Sequence, residues 1–344
     1  MNPRQPLSRR KFFTRGLPAA GFLTVVVGET SAAQSAPPPS LPATSPDQKV
    51  DPKLLKYELV NEFHCPRPEP KRIACGHENT ILIAAGKHIT ALDTTGALRS
   101  EIAQGAPGRA LAVAADGPLY VSLRDHIEVW PSLSTLNSQL STSDTWASPA
   151  DRTWITGLAV GANDLFAADA GNRVIWHYDR SGKLLGRLGQ KDPARNIPGL
   201  VVPSPFFDIE LGSDGLLRAA NPGRHQIENY TRDGGLELAW GKPSMALEGF
   251  CGCCNPINLA LLPEGRVITC EKGLPRVKVY NARGVLEALV AGPECFPRNT
   301  ATAAPDRPEG IWGGLDVAAD ARGRIYILDW ASGAIRVMAP KANG

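Results

Sequence analysis

Stretches that place apolar residues at helical spacing are scarce along this chain of 344 residues, which argues against a fold built from helices. Chemical signatures are missing too. There is no Gly-rich phosphate loop, no Ser-His-Asp arrangement, no H-E-x-x-H and no C-x-x-C-H for haem attachment. Apart from one short N-terminal segment, no apolar run approaches the roughly 20 residues of a transmembrane helix. Nor is there a basic surplus outside the N-terminus. The formal charge of +3 arises in residues 1–33, where Arg4, Arg9, Arg10, Lys11 and Arg15 face a single acid, Glu29. The remainder has 32 bases against 33 acids, a net charge of −1, and so no electrostatic reason to bind nucleic acid. What the chain does have is 34 Gly and 30 Pro, a composition that favours many short strands joined by turns.

Residues 1–33 read as an export signal. A basic region, "SRRKFFTRG", precedes the apolar "LPAAGFLTVVVG" and the small residues "ETSAAQSA". Ser31 and Ala33 fit a cleavage site that leaves Gln34 as the new terminus. "SRRKFF" resembles the twin-arginine motif, with Ser8, Arg9, Arg10 and Phe12 in its positions and Phe13 replacing the usual Leu. Such a signal implies a periplasmic or secreted protein, exported folded and often with its cofactor inserted. Residues 34–52, opening as "QSAPPPSLPATSPDQKV", form a Pro/Ser-rich linker with nothing to bury.

From about residue 53 one pattern recurs: an apolar strand, a polar Gly turn, a second strand, a charged loop and a third strand. It appears as "LAVAADGPLYVSLRDHIEVW", "LAVGANDLFAADAGNRVIWHY" and "DIELGSDGLLRAANPGRHQIENY". Two further copies are "LALLPEGRVITCEKGLPRVKVY" and "LDVAADARGRIYILDWASGAIRVM", and a divergent first copy is "IACGHENTILIAAGKHITAL". The anchors Leu82, Tyr120, Phe166, Arg218, Ile268 and Tyr326 step by 38, 46, 52, 50 and 58 residues. A period of that size made of short strands is the signature of propeller blades. The expected fold is therefore all-β, a six-bladed β-propeller over residues 53–340. The last copy lacks a fourth strand, while "KYELVNEF" (56–63) is an orphan strand ahead of the first. Pairing the orphan with the third strand of the last blade would close the ring and leave no open edge there.

The wording of "NDLFAADAGNRVIWHY" and "GRIYILDWASGAIRVM" resembles the NHL-repeat family of β-propellers over about residues 57–340. That resemblance implies six blades and regulatory or extracytoplasmic binding roles, with an enzyme among them occasionally; it does not imply one activity. Its lyase-like members hold zinc with histidines gathered at the channel, and no such set is legible here.

If strand A of each blade runs beside the channel, the chain returns to one face at every B–C loop and D–A crossing. Cys251, Cys253 and Cys254, in "GFCGCCNP", then lie in the crossing into the fifth blade, and Cys295 lies in the next crossing. Cys65 leads into the first blade and Cys270 ends a strand beside a B–C loop; only Cys75 belongs at the other end. Three explanations compete. Disulfides are permitted in an oxidising compartment, but seven cysteines leave one unpaired, and Cys253 cannot bond adjacent Cys254 without strain. A soft-metal or redox centre of copper, zinc or iron–sulfur type could draw on Cys251, Cys253, Cys254 and Cys295 with Cys65 or His64, although C-x-C-C matches no standard zinc spacing. The third explanation is packing as small apolar residues. Glu271, Lys272 and Asn255, beside this cluster across a hairpin, are the candidates for contacting a cofactor or ligand. The outer-strand histidines His88, His126, His177 and His225 are expected to serve structural hydrogen bonds. Many of the other B–C loop charges, Asp169, Arg173, Arg276 and Asp329 among them, are expected to form ion pairs between blades.

The sequence thus describes an exported, monomeric propeller whose cysteine-bearing face holds a soft metal or redox cofactor. The alternatives are a disulfide-stapled scaffold for a periplasmic protein, peptide, glycan or small ligand, and a propeller hydrolase or lyase.

Overall fold

A computed structural model describes residues 50–131, 144–296 and 314–342, all within one unit spanning Thr44–Gly344. The expected export signal and residues 34–49 of the linker lie outside the described residues.

Six four-stranded antiparallel sheets form the blades of a propeller. The first strand among the described residues is β1 (Tyr57–His64). Blade one holds β2 to β5 (Pro70–Cys75, Ile81–Ala85, His88–Leu92, Leu98–Ala103) and blade two β6 to β9 (Ala110–Val113, Leu119–Ser122, Ile127–Trp130, Asp144–Trp146). Blade three holds β10 to β13 (Ile155–Val160, Asp164–Asp169, Val174–Asp179, Leu184–Leu188) and blade four β14 to β17 (Ile209–Leu211, Leu217–Asn221, Gln226–Tyr230, Leu236–Trp240). Blade five holds β18 to β21 (Asn258–Leu261, Val267–Glu271, Arg276–Tyr280, Leu286–Ala291) and blade six β22 to β24 (Leu315–Ala319, Ile325–Asp329, Ala334–Pro340).

The second strand of each blade is buried on both faces, because blades stack face to face around the axis. That is why β3, β11, β19 and β23 are nearly unbroken apolar runs. Outer strands such as β5 and β13 are covered on one side only and remain largely exposed or half-buried, with one buried residue each. Blade six is completed by β1, which pairs antiparallel with β24 from Tyr57 opposite Pro340 to His64 opposite Ala334. The expected closure is therefore present, with a bulge between Leu59 and Asn61.

A belt of side-chain bonds ties successive blades near the axis. Ser122 Oγ donates to Ile155 O at 3.0 Å, and Thr156 Oγ1 to Phe207 O at 2.6 Å. Asp208 Oδ2 accepts from Leu259 N at 3.1 Å, Asn258 Nδ2 donates to Leu315 O at 2.6 Å, and Asp316 Oδ2 accepts from Ile73 N at 2.7 Å. Each link joins one blade to the next, from two to three around to six to one. At the rim, turn glycines fit beneath aromatic rings of the preceding blade. Gly284 (φ 81°) leaves room for Trp240 and Gly182 (φ 86°) for Trp146; a Cβ there would lie 2.4 and 2.6 Å from the indole.

Candidate functional site at the channel and its mouth

The inner strands β2, β6, β10, β14, β18 and β22 surround a central cavity of about 310 Å³. Arg72, Asp208, Glu210, Asp316 and Cys75 project charge and sulfur among its aliphatic walls. Arg72 is the hub. Its guanidinium donates to Asp208 Oδ1 and to Asn258 Oδ1, each at 2.5 Å, and lies 3.4 Å from Asp316. One arginine from blade one thus joins blades four, five and six, and three carboxyls share a single positive charge. Burial pushes Asp316 up to about 7, against the pull of Arg72. Burial likewise pushes Glu210 up to about 8, with Asp208 adding to the rise. Among the described residues no hydrogen-bond donor meets the Glu210 carboxyl, so it is a group that holds its proton at neutral pH and faces open space. Cys75, at the far end of β2, is pushed up to about 12 by burial and stays a thiol. The sequence reading did not single out Arg72, Asp208, Glu210 or Asp316. The signal for them is charge interrupting strand-A segments, as in "PKRIAC", "DIEL" and "LDVAA".

The opposite end of the channel is the face expected to carry the cysteines. The crossing from β17 to β18 carries Cys251, Cys253 and Cys254, and Cys295 follows β21. Cys65 donates its N–H to Gly333 O, in the β23–β24 loop, at 2.9 Å. Cys270 lies within β19, fully buried. No disulfide joins any of the seven. Among the described residues no three His, Cys, Asp or Glu side chains gather as a metal-holding group. The crossings that carry Cys251, Cys253 and Cys254, then Cys295, then Cys65 with His64, lead into blades five, six and one. His64 ends the outer strand β1, and His225, His126 and His177 serve hydrogen bonds to Gly252 O, Asp125 and Asp164.

Glu271 is fully buried and organises the cysteine-bearing crossing. It pairs with Arg276 and Lys278, each at 2.8 Å, and accepts from Cys251 N at 2.6 Å. Lys278 Nζ also donates to Gly249 O (2.7 Å) and Leu247 O (2.9 Å), and burial lowers its pKa to about 8 against the pull of Glu271. Asn255 is buried as well. Its amide donates to Cys251 O and Lys272 O and accepts from Lys272 N. Glu271 and Asn255 thus position backbone, while Lys272 extends a reachable ammonium. The expected inter-blade ion pairs take a different form at these loops. Arg276 pairs with Glu271 of its own blade, and Asp169 and Asp329 cap their own turns. The tight turn aims several N–H groups at each carboxylate, Gly171 N and Asn172 N at Asp169, Ala331 N at Asp329.

Above the channel, side chains from four blades form a ladder. Lys71 Nζ sits 4.8 Å from the Trp330 ring. Trp330 stacks on Phe206 at 5.9 Å and 16°, and Lys272 Nζ lies 5.2 Å from Phe206. Phe206 belongs to the crossing into blade four and Trp330 to blade six, so their stack reaches across the mouth above blade five. A similar pair, Arg124 over Trp154 at 4.8 Å, stands on blades two and three. None of the three aromatics was read as functional from sequence; Trp154 directly precedes an inner strand, Phe206 lies three residues before one, and Trp330 directly follows a second strand.

No family model matches the chain, and no curated protein matches it. Solved structures do. A streptogramin B lyase aligns over 85% of this chain and 100% of its own, at 14% identity and a TM-score of 0.54. Virginiamycin B lyase from Staphylococcus aureus covers 83% of this chain and 100% of its own, at 13% identity and a TM-score of 0.54. At these identities the likeness is one of fold.

Proposed function

We propose that this protein is an exported propeller that binds a small planar acid, aromatic or heteroaromatic, across the mouth of its channel. The Lys71–Trp330–Phe206–Lys272 ladder carries the reading. Two partly exposed rings offer faces for stacking, and the Lys272 ammonium beside Phe206 offers charge for a carboxylate. Aromatic faces beside a few polar groups are the usual lining of a small-molecule site. Titration with indole-3-acetate, followed by tryptophan fluorescence, tests it. Wild type should saturate, Lys272→Ala should weaken binding about tenfold or more, and Trp330→Ala should abolish it. Equal affinities in all three proteins would refute the site. Export and the monomeric state belong to the same proposal; cell fractionation of an Arg9/Arg10→Lys precursor and the solution mass of the mature chain check them.

A second reading, elimination or hydrolysis inside the channel, is favoured by Glu210. A carboxyl that titrates near neutrality suits general acid–base work, and the two fold neighbours are described as lyases. Incubation with a streptogramin B followed by mass spectrometry tests that substrate. Conversion lost in Glu210→Gln would favour the reading, and unchanged antibiotic with wild type would remove it.

A further inference from the structure

We infer that the central channel binds a small alkylammonium, whose charge Glu210 balances and whose carbon chain the aliphatic strands enclose. Asp208 and Glu210 stand two residues apart and both line the cavity, while Ile209 between them is buried in the core. The carboxyls around the cavity differ in what they meet. Asp208 accepts from Arg72 and from Leu259 N, and Asp316 accepts from Ile73 N and lies 3.4 Å from Arg72. Glu210 has no hydrogen-bond or ion-pair partner among the described residues. Arg218, opposite it in the β14–β15 ladder, is committed to Asp214. Protein encloses Glu210, and the surface that leaves it only half-buried is the surface that lines the cavity. A carboxyl withdrawn from bulk water, facing open space and without a partner, lacks a cation.

The surroundings select the kind of cation. Leu111, Leu158, Leu211, Leu259 and Val317 line the same cavity of about 310 Å³, room for a guest of several carbons. A bare metal ion needs several oxygen ligands, and Asp208 and Asp316 are already engaged. One free carboxylate among aliphatic walls suits an ammonium on an apolar chain instead. The guest carries no acidic group, because Arg72, the one cation lining the cavity among the described residues, is shared by Asp208, Asn258 and Asp316. In the empty channel a proton fills the role. Burial first, then Asp208 and Asp316, raise Glu210 to about 8 against the pull of Arg72. Binding replaces that proton: the Glu210 O–H bond breaks, the proton passes to solvent, and the carboxylate pairs with the ammonium. Affinity should therefore rise with pH to about 8 and level off above it.

The test is calorimetric titration of the full chain with hexylamine, which like a lysine side chain stays protonated from about pH 6 to 9. About one hexylamine should bind per chain, roughly tenfold tighter for each pH unit between about 6 and 8. The heat should vary with the buffer as it does when about one proton is released at the lower pH. Hexanol and hexanoate, which lack the cation, should bind at least tenfold more weakly at about pH 8.5. Glu210→Gln should lose tenfold or more in hexylamine affinity at that pH, together with most of the pH dependence. Glutamine has the shape of the protonated side chain it replaces, so this variant folds as wild type does. Hexylamine binding calls for neither the aromatic ladder of the mouth nor turnover in the channel, so it stands or falls apart from both readings above. No binding at about pH 8.5 overturns the inference. So does equal affinity for hexanol, or equal hexylamine affinity in Glu210→Gln.

Discussion

Replacing Glu271 with alanine should lower the unfolding free energy by about 3–5 kcal/mol, the usual effect of removing one partner from a buried ion pair. The side chain is fully buried between Arg276 and Lys278, which are 3% and 0% exposed. Without it, two cations remain in a site that bulk water does not reach. Lys278 already titrates at about 8 because burial outweighs the attraction of Glu271, so losing that attraction drives it further down and toward the neutral amine. Lys278→Met should cost less than Glu271→Ala, since it leaves a neutral Glu271–Arg276 pair and an apolar stem of similar length. Urea unfolding of the three proteins gives the order directly. There is also a local readout. The Cys251 amide loses its acceptor and the segment 245–251 its anchor, so Cys251 should react faster with a thiol reagent in Glu271→Ala under native conditions. A loss below about 1 kcal/mol, with unchanged thiol reactivity, would show that the network is incidental.

The propeller was legible because its physics is local. A strand covered on both faces is buried throughout and mostly apolar, and "ILIAA", "LFAAD", "VITCE" and "IYILD" recur with a turn after each. Closure was legible by counting, since blade six lacked one strand and "KYELVNEF" had no blade. Strand direction assigns each cysteine to an end of the blades, but how far each crossing reaches around the mouth is encoded by no spacing in the sequence. The channel charges were missed for a related reason. Arg72 or Glu210 in an edge strand looks like an ordinary solvent-facing residue until the ring closes around it. Arg218 is the same lesson in reverse. It occupies an anchor position otherwise held by Leu, Tyr, Phe and Ile, and it is almost fully buried there, paired to Asp214. The aromatic ladder could not be read at all, since Lys71, Phe206, Lys272 and Trp330 come from four repeats and meet only above the channel.

Arg72→Met should be the most pH-sensitive change in the molecule. The guanidinium serves Asp208, Asn258 and Asp316 at once, and it partly offsets the rise of Glu210 and Asp316. Both carboxyls titrate higher in the folded chain than their ordinary 4.5 and 3.8, at about 8 and about 7. Between the unfolded and folded values the native state therefore holds more protons than the unfolded one, and stability falls as pH rises. That contribution is complete below about pH 4 and is lost as pH passes through 7 to 8. Removing Arg72 raises both groups further, which widens the gap and steepens the fall. Near pH 5, protonated carboxyls replace much of the missing charge, and the variant should lose only the hydrogen bonds, about 1–2 kcal/mol. Above pH 8, Glu210 and Asp316 must either ionise without a counter-charge or hold their protons against the solvent, and the loss should reach about 3–5 kcal/mol, a fall in Tm on the order of 10 °C. Adding Glu210→Gln to Arg72→Met should restore part of the loss at pH 8.5 and none at pH 4. Thermal unfolding of the wild type, the single variant and the double variant at three pH values measures this. A loss of equal size at every pH would mean that Arg72 acts through packing and hydrogen bonds, and that its charge does not hold the channel carboxyls together.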